Sequence, residues 1–339
     1  TSKMKLNIAI AGATGNVGRK IIEVLEKRNF PIDNLYLLAS KNSQGKKIKF
    51  LEKEIGVEDL TNFDFSKAAV AFFCCGSKMS KEWAPIAAKN SIVIDNSSLF
   101  RMDQEIPLIV PEVNADDIVQ FKNKNIIANP NCSTAQLVVA LKPLHDLLNI
   151  ERVVISTYQS VSGAGKEPMN ELINQTKQFL NNEKIISENF TKQIAFNVIP
   201  HIDEFADDGY TKEELKIVNE TKKILSNKIK LTATCVRVPV LISHCESINI
   251  QFEKSFSLDQ IYSALLSAKG CKVIDERKNG GYVTPIEAQD QFDTYISRIR
   301  MDSTQKNCLN MWVVSDNLLK GASLNAVQIA ETLVNKNLI

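Results

Sequence analysis

Over the first 130 residues, short apolar runs alternate with stretches that are apolar on one face only. Residues 6–11 alternate as a strand and end in a glycine-rich turn. Val17, Ile21, Ile22, Val24 and Leu25 then recur at helical spacing up to about Arg28. Residues 34–39 read as a second strand, 46–50 and 54–60 as short strands or a hairpin, and 69–74 as a buried strand without alternation. A helix over 80–90, a strand over 92–95, a helix over 113–122 and a last strand over 126–128 complete the series. Strands alternating with helices predict an α/β, Rossmann-like, doubly wound and mostly parallel sheet.

Beyond residue 132 the pattern changes. Residues 152–159, 231–238, 246–252 and 294–300 read as longer alternating strands, with a further one at 311–314. Two polar helices fall near 168–181 and 212–225, and 178–193 reads as an exposed loop or helix end. This predicts an α+β domain with one mixed or antiparallel sheet and helices on one face. Residues 317–338 read as a closing helix. The expected division is a dinucleotide-binding domain over 1–131, completed by 317–339, and a second domain over 132–316.

Composition narrows the classes. The 339 residues are 44% hydrophobic and 24% charged with net charge +2, which gives no electrostatic case for nucleic acid or an anionic membrane. Three histidines (His145, His201, His244) are too scattered for a histidine-based metal site, and none is expected. The seven cysteines show no CxxC pair and no zinc spacing, which fits a reducing cytoplasm better than a disulfide framework. The segment from Thr1 to Lys5 reads as neither a signal peptide nor a membrane span, and no run of about 18 apolar residues occurs.

One cysteine stands apart. Pro130 bars a helix through the residues before it, and apolar positions recur helically from Ala135 onward, so Cys132 falls at or next to a helix start. Open N–H groups and the helix dipole there favour a thiolate, the nucleophilic form, and can hold an oxyanion formed by attack on a carbonyl. The plainer reading of Cys132 by itself is a small buried core residue.

The first turn carries a second signal. Gly12, Ala13, Thr14, Gly15, Asn16, Val17 and Gly18 follow a strand and open a helix, spaced GxxGxxG. Such a turn lets backbone approach a pyrophosphate at a helix N-terminus. At the end of the second strand, where an acid would mark NAD, stand Ala39, Ser40, Lys41 and Ser43. A cation and two hydroxyls suit a 2′-phosphate, so NADP(H) is favoured.

With these segments in place, the chain resembles the aspartate-β-semialdehyde dehydrogenase family over nearly its whole length. The resemblance is carried by residues 12–18, 95–102, 110–114, Asn129-Pro130-Asn131-Cys132-Ser133-Thr134, 158–165 and 197–200. It continues through 213–216, 220–224, Val236-Arg237-Val238-Pro239 with His244, and 312–318. It implies a fold like that of glyceraldehyde-3-phosphate dehydrogenase, whose second domain is catalytic and dimerising. The implied reaction is NADPH-dependent reductive dephosphorylation of L-aspartyl-4-phosphate to L-aspartate 4-semialdehyde, a step towards lysine, threonine, methionine and isoleucine. The implied partners are this small-molecule substrate and inorganic phosphate, with a homodimer, or alternatively a tetramer, in the cytoplasm.

Roles are implied residue by residue. Cys132 matches the acyl-accepting nucleophile, His244 the general acid/base, and Gln159 the group that orients the catalytic geometry. Arg237 matches the binder of the substrate α-carboxylate, Glu220 the contact to its amino group, and Arg101 and Lys223 the phosphate-binding cations. Asn131 joins the oxyanion site, and Ser162, Gly163 and Asn317 join the cofactor residues. Taken singly, Arg101 and Lys223 read as solvated charges, Gln159 as a polar strand end, Glu220 as a partner of Lys223, and His244 as a structural histidine. Arg237 and His244 are seven apart, which on an unbroken strand sends them to opposite faces, so a break near Pro239 is expected.

Asn42 stands where the family commonly has arginine, His201 where it often has glutamine, and Ser297 where it often has glycine. N-acetyl-γ-glutamyl-phosphate reductase shares the dinucleotide turn and a Cys/His pair, but the segments at 220–223 and 236–244 fit the aspartate enzyme better. A non-catalytic nucleotide sensor on the same fold would have lost part of the Cys–Gln–Arg–His set.

Overall fold

The computed structural model describes residues 4–339, so the first three residues of the N-terminal segment lie outside the described residues. The chain divides into two compact units, residues 1–130 with 322–339, and residues 131–321.

The first unit begins with β1 (Leu6–Ala11), α1 (Asn16–Lys27), β2 (Ile32–Ala39), β3 (Lys47–Phe50) and β4 (Lys53–Asp59). It continues through β5 (Val70–Phe73), α2 (Gly76–Ala87), β6 (Ile92–Asp95), α3 (Pro111–Asn114) and β7 (Ile126–Ala128). Its seven strands lie in the order β3-β4-β2-β1-β5-β6-β7. Every neighbouring pair is parallel except the β3–β4 hairpin. All four residues of β5 and of β6 are buried, which explains why these strands show no alternation: a parallel sheet is covered on both faces.

The helix expected over 113–122 is instead the single turn α3 followed by a 3₁₀ stretch, Ala115–Asn123. Asn114 breaks it, with φ −135° and ψ 40°, because its side chain is drawn back to the N–H of Val110 (2.9 Å) and the carbonyl of Leu108 (2.8 Å).

The second unit opens with α4 (Cys132–Leu148), β8 (Ile150–Gln159), α5 (Lys166–Leu180), α6 (Lys212–Ile224), β9 (Lys230–Arg237) and β10 (His244–Phe252). It closes with α7 (Leu258–Leu266), β11 (Cys271–Val273), α8 (Pro285–Ala288), β12 (Thr294–Met301) and β13 (Cys308–Ser315). The sheet order is β11-β12-β13-β10-β8-β9, mixed in direction, with β8 parallel to β9 and antiparallel to β10. One face carries the core: Leu137, Leu141 and Leu144 of α4, Ile217 of α6, and Ile261 and Leu265 of α7 pack on Val153, Ile155, Ile248 and Val313. α7 and β11 were not read from the sequence. α7 is opened by a capping box, Ser257 with Gln260, a signature the sequence does contain.

The closing helix is shorter than 317–338. The carboxyl of Asp316 accepts the N–H groups of Leu318 and Leu319, and Gly321 N–H donates five residues back to the Asp316 carbonyl. A π turn, Leu319–Ser323, results, and regular helix begins only at α9 (Leu324–Asn335), which belongs to the first unit. Among the described residues, no helix is long and apolar enough to cross a membrane and no side-chain cluster could hold a metal ion.

Candidate functional site

In the first unit, β1 delivers the chain into the glycine turn. Gly12 has φ +86°, and a Cβ there would stand 2.6 Å from the carbonyl oxygen of Cys74. At Gly18 it would stand 2.1 Å from the carbonyl oxygen of Gly12. Only glycine fits a turn this close to neighbouring backbone. Gly15 caps α1 without a side-chain bond, and no acidic residue lies in the first turn, so the helix start suits an anion such as a pyrophosphate. At the end of β2, Ser40 and Lys41 are exposed beside a short 3₁₀ turn, Lys41–Ser43. An acid overlooked in the sequence lies here: Asp59 of β4 pairs with Ala39 of β2, and its carboxyl is held below the usual range first by Thr61 and last by Lys41. The larger cause is Thr61, whose N–H (3.0 Å) and hydroxyl (2.8 Å) both donate to it. Arg101 is buried in the same unit, donating from Nε to the carbonyl of Asn129 (2.8 Å) and from Nη2 to that of Asn96 (2.9 Å).

In the second unit, Cys132 is the first residue of α4 and Asn131 its N-cap, its Oδ1 accepting the N–H of Ser133 at 2.9 Å. Two acids hold Asn131. Glu220 Oε1 accepts its main-chain N–H at 2.6 Å, and Glu213 Oε1 accepts from its Nδ2 at 2.9 Å. The other Glu213 oxygen accepts from Gln159 Nε2 at 2.9 Å, so one side chain ties the cap of the cysteine helix to the end of β8. Gln159 Oε1 in turn accepts from Thr157. Burial, as the first cause, pushes up the thiols of Cys74, Cys75, Cys235, Cys245 and Cys308, holding them protonated.

Sheet register brings the remaining groups together. Arg237, the last residue of β9, pairs with Gln159. His244, the first residue of β10, precedes Cys245, which pairs with Tyr158, and is itself opposite Ser315. Arg237, Gln159 and His244 thus sit at one end of three adjacent strands with β8 in the middle. The spacing of seven is resolved by a break: β9 ends, the chain turns at Pro239, and Ser243 takes φ +83° before β10 starts. Asn317 Oδ1 accepts the Ser243 N–H at 2.8 Å and holds that strained residue in place. Its Nδ2 donates to Ser162, so the Asn317 side chain is engaged within the loop that carries Ser160 and Ser162.

His244 is fully buried. Ser160 N–H donates to its Nδ1 at 2.9 Å, which leaves the ring proton on Nε2. Nε2 has no protein partner and lies with Arg237 Nη1 beside Gly163, where a Cβ would stand 3.1 and 3.2 Å from the two atoms. Burial, and then the Arg237 guanidinium, push the imidazole down to about 3. An imidazolium would set a second ring N–H against that of Ser160, so the general acid/base role is opposed at Nδ1 while a donor role at Nε2 is favoured.

Arg237 donates from Nη1 to the Ser160 carbonyl at 2.8 Å and lines a pocket of about 510 Å³ with Asn189, Thr191, His201 and Asp203. The polar segment 178–193 is less loose than its composition suggests. Glu171 accepts the N–H groups of Glu188, Asn189 and Phe190, and Gln175 those of Ile194 and Ala195, which fixes that wall of the pocket. Lys223 lies half-buried on α6, the helix that also supplies Glu213 and Glu220. Two further residues were given no role in the sequence reading, although Glu213 lies in a segment that carries the resemblance. Glu213 looks like an ordinary first-turn acid, whereas Gly321 could have been noticed as a glycine inside a helical pattern.

Residues 7–121 match the family profile described as semialdehyde dehydrogenase, NAD binding domain, and residues 141–320 the one described as semialdehyde dehydrogenase, dimerisation domain. Aspartate-semialdehyde dehydrogenase of Aquifex aeolicus is 51% identical, covering 99% of this chain and all of its own. That of Rickettsia conorii is 49% identical, covering 98% of this chain and 99% of its own. A crystal structure of aspartate semialdehyde dehydrogenase II from Vibrio cholerae complexed with ASA superposes with TM-score 0.96 at 46% identity, over 98% of this chain and 99% of that one. With paired domain matches and this identity over the full length, the chain belongs to the aspartate-semialdehyde dehydrogenase family.

Proposed function

We propose that the chain catalyses the NADPH-dependent conversion of L-aspartyl-4-phosphate to L-aspartate 4-semialdehyde and phosphate through a thioester on Cys132. The observation that carries this reading is the row Arg237–Gln159–His244, tied through Glu213 to the capped start of the cysteine helix. The Cys132 thiolate attacks the acyl phosphate carbonyl, and the N–H groups of the first turn of α4 hold the resulting oxyanion. His244 Nε2–H donates to the same oxygen. Phosphate departs, leaving the thioester, and Arg101 and Lys223 are assigned to it by resemblance. Arg237 grips the α-carboxylate. Glu220 is assigned to the amino group by resemblance, and its bond to Asn131 gives it a second role in holding the cap.

The nicotinamide supplies a hydride when bound. Gly12 to Gly18 are assigned to its pyrophosphate, and Ser40, Lys41 and Ser43 to a 2′-phosphate. The chain acts as a homodimer through residues 141–320, in the cytoplasm, where its cysteines stay reduced.

The test is phosphate-dependent reduction of NADP with aspartate semialdehyde, run for the wild type and Cys132→Ala. Activity is expected with aspartate semialdehyde in the wild type alone. Full activity in the variant sinks the thioester route, and activity only with N-acetylglutamate semialdehyde sinks the substrate assignment.

A further inference from the structure

Glu246 is a fully buried acid that the mechanism does not use. It lies on β10 two residues after His244, on the same face of the sheet, opposite Val313 of β13 and Thr157 of β8. Neither of its carboxyl oxygens has a hydrogen-bond donor. A charged carboxylate in that condition is strongly disfavoured. The titratable group on the same face is the Cys235 thiol of β9, across Thr157, while the thiol of its chain neighbour Cys245 lies on the other face, and neither offers a compensating charge.

Gln136 of α4 comes to the same place, for its side chain bonds the carbonyl of Val313, the residue opposite Glu246. It is four residues after Cys132 and therefore on the same side of α4 as the nucleophile. Its Nε2 donates both hydrogens to main-chain carbonyls, of His244 at 3.1 Å and of Val313 at 3.3 Å. That fixes the orientation of the amide, because the reverse would set oxygen against two carbonyl oxygens. Gln136 Oε1 is then left buried without a donor, as Glu246 is. One proton resolves both deficits.

We infer that Glu246 is held as an un-ionised carboxylic acid that donates its proton to Gln136 Oε1, and so locks the amide that ties the first turns of the cysteine helix to the His244 strand. Glu246 is a positioning residue: it touches no substrate and acts through Gln136 on the mutual placement of Cys132 and His244. Burial drives its ionisation well above the usual carboxylate range, against a smaller pull from the Gln136 amide group, whose hydrogens are already given to the two carbonyls. The inference rests on the proposed roles of Cys132 and His244 for its catalytic consequence, but not for the protonation state.

The experiment has three arms. Infrared spectra of the full-length protein carrying ¹³C-labelled glutamate should show an un-ionised carboxyl band at pH 8 that Glu246→Gln removes. Steady-state kinetics of Glu246→Leu, which cannot donate, should show kcat lowered roughly tenfold or more with KM little changed, because a buried hydrogen bond is lost. Glu246→Gln, which keeps a donor, should restore most of that loss. In a double-mutant cycle, Gln136→Leu with Glu246→Leu should be no worse than Gln136→Leu alone.

Absence of the band overturns the inference even if Glu246→Leu fails to fold. So does a Glu246→Gln variant as impaired as Glu246→Leu, or additive effects in the cycle. A fully active His244→Ala control would instead overturn the role given to His244, leaving the infrared result standing.

Discussion

Gly321 packs its backbone against Cys132: a Cβ at position 321 would stand 2.8 Å from the Cβ of Cys132 and 3.2 Å from its Cα. The π turn over Leu319–Ser323 makes this approach possible, since its wide i→i+5 bond from Gly321 to Asp316 displaces the chain from regular helix. Cys132, the proposed nucleophile, is therefore bounded on one side by a residue with no side chain.

Gly321→Ala should displace Cys132. The added methyl meets an α-carbon and a β-carbon, neither of which is the free end of a flexible side chain. We expect kcat/KM to fall roughly 100-fold, the scale of an ångström-sized misplacement of a reacting group. Iodoacetamide labelling of Cys132, followed by mass spectrometry, should slow in parallel. Unchanged labelling and turnover would show that the contact is slack.

Glu213→Gln should disrupt the link between Asn131 and Gln159. Both carboxyl oxygens of Glu213 accept amide hydrogens, so an amide there must face one of its neighbours with NH₂ against NH₂. A fall in kcat of roughly tenfold or more is expected from the misplaced cap and glutamine. Wild-type kcat in Glu213→Gln would remove Glu213 from the site.

The buried imidazole makes stability depend on acid. His244 titrates at about 3 in the folded chain against 6.5 for the free group, burial being the first cause and Arg237 the second. Above 6.5 both states are neutral there and the residue contributes no pH dependence. Between 6.5 and about 3 the unfolded chain takes up a proton that the folded chain refuses, so stability falls as pH falls. Urea unfolding at pH 7.0 and pH 5.0 should therefore show a smaller acid-induced loss in His244→Asn than in the wild type. Equal losses would refute a depressed histidine.

Lys41 should report on the 2′-phosphate. It is exposed at the end of β2 and is the cation nearest the position where an acid marks NAD. Lys41→Ala should raise the KM for NADPH by about fivefold, the worth of one solvent-screened ion pair, and leave that for NADH unchanged. Equal effects on both cofactors would count against a phosphate contact.

Much of this architecture follows from local pattern. The unalternating apolar run at β5 and the succession of strands and helices gave the doubly wound sheet, and Pro130 with the apolar positions from Ala135 placed Cys132 at or next to the start of α4. The break between Arg237 and His244 was foreseeable from their odd spacing together with Pro239, once the resemblance gave both residues to one pocket. Where local reading failed, a side chain had drawn backbone groups away from the expected helix, as Asn114 and Asp316 do, or a short element such as β11 carried too few residues to show a period.

The sequence by itself determined the elements, the glycine turn, the capped cysteine and the residue types of the chemistry, because periodicity, capping and close backbone turns are settled within a few neighbouring residues. Only the tertiary structure decided which of those residues cooperate. Glu213 meets Asn131 across 82 positions and Gln159 across 54, Ser160 meets His244 across 84, and Gln136 reaches the His244 carbonyl across 108. Such pairs exist only once strand register and helix packing have aligned them, and a fully buried donor or acceptor then takes whichever partner the fold has brought within reach.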